Sequence, residues 1–203
     1  MPRNRIAKFF AITLIALIAL MPLWHWISAS LASPVFYLAG NFCTSVFRWA
    51  HDYEQKGATA MLITNLRAFS DVAGQARVGR LAPIADYRLM GYGTAMFWAL
   101  MLGSRPARWF PKLVAGSLLL VPIQATAIIT QWLNDILNRS GKDVLAQSGL
   151  PQWFAEVMAF GHHFNLFIFT ALAPIIVWML INRQLAGELW LGLSTQNSQA
   201  NNA

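Results

Sequence analysis

The sequence predicts an all-α membrane protein: a four-span transmembrane helical bundle with a small outer amphipathic helix plus β-hairpin. Three observations predict it. Four long apolar runs begin near Phe9, Leu89, Leu113 and Phe164. Lys and Arg cluster beside alternate ends of those runs. Hydrophobic residues make up 57% of the chain and charged residues 11%, against about 25% charged in an ordinary soluble domain. Such a chain lacks the polar groups to cover itself in water. At 203 residues it has the length of a single integral membrane domain, 1–203.

The first run, 9–26, follows Arg3, Arg5 and Lys8. A basic start, an apolar stretch and then Ser28-Ala29-Ser30 also fit a signal peptide. The length of the run and the bulky Trp24-His25-Trp26 favour an uncleaved anchor. Trp24 and Trp26 suit the outer membrane interface. The second run, 87–104, has an apolar core from Leu89 to Ser104, short of the roughly 20 residues a span needs. It stops at Arg105-Pro106. The third, 113–132, has the right length and no formal charge. The fourth, 164–181, ends at Asn182-Arg183.

Orientation follows from the basic residues. The N-terminus and the Arg105–Lys112 loop are short and strongly positive, so both belong in the cytoplasm, and the fourth span returns the C-terminus there. Residues 51–88 (five basic, four acidic) and 134–161 (two basic, three acidic) then face outward. The formal charge is +7. Six of the fifteen basic residues lie beside spans as Arg3, Arg5, Lys8, Arg105, Arg108 and Lys112. That placement points to lipid head groups and away from nucleic acid. The polar tail 194–203 has no apolar period and reads as disordered.

An outer subdomain occupies 35–88. Val35, Leu38, Ala39, Phe42, Val46, Trp49 and Ala50 recur at helical spacing, with Asn41, Ser45, Arg48 and Asp52 opposite. This predicts an amphipathic helix over Pro34–Asp52, bent at Pro34, on the outer surface. The rival is a re-entrant or fifth span, which Arg48 and the short apolar length oppose. Thr59–Leu66 and Gln75–Leu81 then read as a β-hairpin, with a turn within Arg67–Gly74.

Candidate chemistry is sparse. The span centres hold no Asp, Glu, Lys or Arg, which speaks against a small-solute transporter. Gln124, Thr130 and Gln131 suit hydrogen bonds between helices, and Ala115-Gly116-Ser117 suits close helix contact. Gly91-Tyr92-Gly93 fits close packing or an irregular entry into the bilayer. His25, His51, His162, His163 and the single Cys43 all map outward. One cysteine forms no internal disulfide and no thiolate zinc cluster. A thiol enzyme would need Cys43 with His162 or His163 as base, and a zinc site would draw on His51, Asp52, His162 and His163. Neither has a motif. Adjacent histidines on a helix point about 100° apart. No catalytic, cofactor-binding or metal residue is assigned, and no cofactor is expected.

The stretch Tyr87-Arg88-Leu89-Met90-Gly91-Tyr92-Gly93, followed by Phe97-Trp98-Ala99-Leu100-Met101-Leu102, resembles the entry to the second span in exosortase H-associated membrane proteins. Ala173-Pro174-Ile175-Ile176-Val177-Trp178-Met179-Leu180, with Arg183 after it, is similar to their last span. The order of anchor, β-rich outer loop and three further spans matches as well. The resemblance implies a multi-pass protein of the bacterial inner (cytoplasmic) membrane that accompanies an exosortase, an enzyme class processing proteins with a C-terminal sorting tail. Exosortases resemble Cys–Arg–His transpeptidases, and the Cys43, arginines and histidines of this chain do not fall in that motif order. The resemblance therefore implies a non-catalytic accessory role in protein sorting, with an exosortase-like membrane partner.

Overall fold

The computed structural model describes residues 3–72, 75–185 and 187. The tail expected to be disordered, 194–203, and residues 73–74 of the expected turn lie outside them. The chain opens with one continuous helix, α1 (Arg3–Val46). At 1.5 Å per residue it runs about 66 Å, roughly twice the apolar thickness of a bilayer. The first expected span and the outer helix are thus one element, and that helix stops at Val46, short of Asp52. Pro34 removes a single backbone donor, while Ala32, Val35, Phe36, Ala39 and Cys43 continue a fully buried stripe past it. The expected apolar face is also corrected. Leu38, Phe42 and Val46 are exposed beside Tyr37, because the buried stripe is narrow and made mainly of small residues.

Two sheets follow. β1 (Ala50–Lys56) pairs antiparallel with β2 (Thr59–Thr64). β3 (Arg67–Val72) pairs with β4 (Gln75–Arg80), and β5 (Ile84–Asp86) returns to β2. The expected partnership of Thr59–Leu66 with Gln75–Leu81 is confined to one end, where the Leu81 amide donates to the Leu66 carbonyl at 2.9 Å. Thr59–Thr64 is the centre of a three-stranded sheet, and Arg67–Val72, expected as a turn, is the partner of Gln75–Arg80. The missed signal is Gly57, whose φ of +63° closes the two-residue turn between β1 and β2. Assigning Ala50–Asp52 to a helix hid the strand that needs this turn.

The remaining elements are helical. α2 (Tyr87–Gly91) is capped by Asp86, whose carboxylate accepts from the Arg88 amide at 2.9 Å. After a turn at Tyr92 comes α3 (Gly93–Ser104). The second expected run, 87–104, is therefore helical but divided. α4 (Trp109–Asn134) continues into a π-helical turn at Asp135–Arg139, and α5 (Lys142–Ser148) follows. α6 (Gln152–Phe164) passes through a second π-helical turn, Asn165–Phe169, into α7 (Thr170–Ile181). Among the described residues, three helices are long and apolar enough to cross a membrane: Ile6–Val46, Trp109–Arg139 and Gln152–Ile181.

The chain divides into two compact units. The first comprises Met1–Trp24, Gly93–Leu120 and Ala171–Ala203. Its helices meet through small residues and tryptophan N–H groups. A Cβ on Gly116 would overlap the Phe97 ring, and one on Gly103 would overlap the Thr13 hydroxyl. Trp98 Nε1 donates to Ser117 Oγ at 2.9 Å, and Trp178 Nε1 donates to Ser104 Oγ at 3.1 Å. Phe9 stacks on Trp178 with centroids 5.5 Å apart. The Ala115-Gly116-Ser117 patch makes close helix contacts, as its small residues lead one to expect.

The second unit comprises His25–Tyr92 and Val121–Thr170. Its centre is aromatic. Phe36 packs against Tyr87 and Trp132, each at 6.3 Å between centroids. Tyr87 Oη donates to Gln124 Oε1 at 3.0 Å, and Gln124 Nε2 donates to the Gly91 carbonyl at 3.4 Å. Gln131 Nε2 donates to the Ile84 carbonyl at 3.4 Å. The glutamines on α4 are thus polar links to α2 and β5. Gly91 is held close as well, since a Cβ there would overlap the Tyr87 ring.

Candidate functional site

Polar side chains inside the second unit gather around the two π-helical turns. A π turn inserts one residue into a helical ladder and frees backbone groups there, and such turns recur at functional sites. Asn138, in the first π turn, uses Nδ2 twice: to Asn134 Oδ1 at 3.1 Å and to the Ala155 carbonyl of α6 at 2.8 Å. Asn165 opens the second π turn, and its Nδ2 donates to Thr130 Oγ1 of α4 at 3.0 Å. The freed carbonyls are also used. Ser140 Oγ donates to the Asp135 carbonyl at 2.8 Å, and Thr170 Oγ1 donates to that of Asn165 at 2.6 Å. Each hydroxyl sits five residues on, the spacing a π turn brings into register. Asn134 and Thr170 are buried.

His162 lies beside this layer. It is 7% exposed, close enough to Asp135 to interact electrostatically, and its Nδ1 has no hydrogen-bond partner among the described residues. Asp135 forms an ion pair with Arg139 at 3.1 Å, one turn along the same helix. The Arg139 side chain is mostly exposed, so the pair adds little stability. His163 faces the other way. It is exposed, and its Nδ1 donates to the Ala159 carbonyl at 2.7 Å. One histidine is inside and its neighbour outside, as the 100° step of a helix requires.

The structure does not assemble the residues a thiol enzyme would use. Cys43 is fully buried on the inward stripe of α1. No hydrogen bond to His162 or His163 reaches it among the described residues, and His25 and His51 are exposed on other elements. A thiol becomes a useful nucleophile as an accessible thiolate beside a base. Among the described residues, no three of His, Cys, Asp and Glu come together as metal ligands. The layer instead offers amide and hydroxyl groups that link the α4 run to the α6 run.

Sequence reasoning found Gln124, Thr130 and Gln131 and missed Asn134, Asn138 and Asn165. The signal for the first two was available, since Asn134 and Asn138 stand one turn apart at the end of an apolar run. It missed Gln147 too, whose side chain acts on the sheet. Its Oε1 accepts from the Arg67 amide and its Nε2 donates to the Arg67 carbonyl, both at 3.0 Å.

No curated protein and no solved structure matches the chain. The family model described as exosortase H-associated membrane protein matches residues 3–185. That span reaches into both compact units and takes in the seven α-helices of the described residues, so the chain belongs to the exosortase H-associated membrane proteins.

Proposed function

We propose that this protein is a non-catalytic membrane accessory of an exosortase-type sorting system, a four-span protein that holds its partner through the face of its helical bundle and through the outer subdomain 35–88. The membership of residues 3–185 in an exosortase-associated family carries the reading. The surface supports it. Tyr37, Leu38, Phe42 and Val46 on α1, and Trp153, Val157 and Phe160 on α6, are large apolar side chains exposed at helical spacing. Such stripes suit lipid or another membrane protein. The second of the four spans is the divided helix of 87–104, and both termini face the cytoplasm of a bacterial inner membrane, as the basic loops direct.

Co-purification tests this reading. The tagged full chain, extracted in mild detergent from cells that also produce the exosortase, should retain that enzyme through washing, and failure to retain it would count against the role. Cys43→Ala tests the opposing enzyme reading. Sorting should continue at the normal level with the variant, whereas complete loss of sorting at normal protein abundance and partner retention would favour catalysis by Cys43.

A further inference from the structure

The first unit carries a cavity of about 410 Å³ where α3 ends and α4 begins, lined by Ser104, Pro106, Lys112, Asn182 and Arg183 among others. Cavities of this size take small ligands or head groups. Its described surroundings carry formal charge of one sign. The unit contains Arg3, Arg5, Lys8, Arg105, Arg108, Lys112 and Arg183, and no Asp or Glu among its described residues. Lys112 and Arg183 line the cavity, while Arg105 and Arg108 stand in the loop that borders it. Lys112 Nζ donates once, to Asn182 Oδ1 at 3.2 Å, and an ammonium has three donors. Asn182 is itself held by Met101 Sδ and the Trp178 carbonyl, so the lysine is anchored at the cavity wall. Trp109 and Phe110 follow at once, large and exposed, as side chains at the level of lipid head groups commonly are.

We infer that this cavity binds the phosphate head group of an anionic phospholipid, with Lys112 and Arg183 on the phosphate and Trp109 and Phe110 against the adjoining acyl region. The cations call for an anion, and the exposed Trp109 and Phe110, in the helical turn before Lys112, favour a ligand with an apolar part. A lipid supplies both, whereas a free phosphate supplies only the first. Basic pockets of this kind between membrane helices are a recurrent form of head-group recognition.

The test uses the full chain in detergent, with native mass spectrometry reading retained lipid after addition of dioleoyl phosphatidylglycerol or dioleoyl phosphatidylcholine. The wild type should retain phosphatidylglycerol and not phosphatidylcholine. The pair Lys112→Gln and Arg183→Gln should lower retention at least about tenfold, given the attraction of each basic side chain to anionic lipid. The control pair Arg48→Gln and Lys56→Gln, which removes as much charge elsewhere, should leave retention unchanged. The charge-keeping pair Lys112→Arg and Arg183→Lys should also retain lipid. If the neutral pair does not purify, the exposed Arg183→Gln alone carries the same test. Equal losses in the neutral and control pairs, equal retention of the two lipids, or displacement of phosphatidylglycerol by excess inorganic phosphate would each overturn the assignment.

Discussion

Tyr87 shows how one side chain closes several requirements. Its ring packs on Phe36, lies close over Gly91 and ends in a hydroxyl that reaches Gln124. Replacing Tyr87 with Phe keeps the ring and removes the donor. The expected result is a loss of about 1 kcal/mol in the thermal stability of the detergent-solubilised protein, the usual worth of one buried hydrogen bond. At the same scale, Arg105 and Arg108 hold φ values of +37° and +56°, a conformation that costs a non-glycine residue about 1–2 kcal/mol. Arg108→Gly should therefore raise stability while weakening anionic-lipid retention. A single melting curve with and without phosphatidylglycerol checks both directions. The glutamines were legible in the sequence because a polar amide inside an apolar run must find a partner. Asn165 was not, since its role depends on a π turn that no local spacing announces, while the one-turn spacing of Asn134 and Asn138 announces a shared helix face and not the link to α6.

Between elements, the clearest joint is Gln147 on α5 with β3. Its amide exchanges two hydrogen bonds with the backbone of Arg67, as a neighbouring strand would. Gln147→Ala should leave global unfolding nearly unchanged. The Arg67 amide should exchange with solvent deuterium roughly fivefold faster, for about 1 kcal/mol of local protection lost. Unchanged exchange there would show that the hairpin stands without α5. Helices were easier to read from sequence than strands. Apolar period and length announce α4 and the run ending in α7, whereas β1 reads Ala-His-Asp-Tyr-Glu-Gln-Lys, with little β-branching and mostly polar side chains. Its place in the sheet is set by Gly57 and by tertiary pairing with β2. The single helix across Pro34 was missed for a related reason: a proline signals a break locally, and the buried stripe beyond it outweighs that signal.

For the whole molecule, the apolar fraction and the helical runs mark a membrane protein, and residues of the second and last runs carry the resemblance to its family. Orientation is open to direct measurement. Alkaline phosphatase inserted at the Gly57 turn, where a side chain meets no neighbour, should be active in intact cells. A fluorescent protein at the same point should stay dark when exported in unfolded form. The reverse pattern would invert the proposed topology. The three-stranded sheet has a further bearing on how a partner arrives. β1 stands at its margin, with His51, Asp52, Glu54 and Lys56 exposed along it. Ionisable groups of both signs on a marginal strand discourage a second chain from extending the ladder. Recognition along this margin would then depend on matching individual charges, whereas the opposite margin, β5, presents the exposed apolar Ile84.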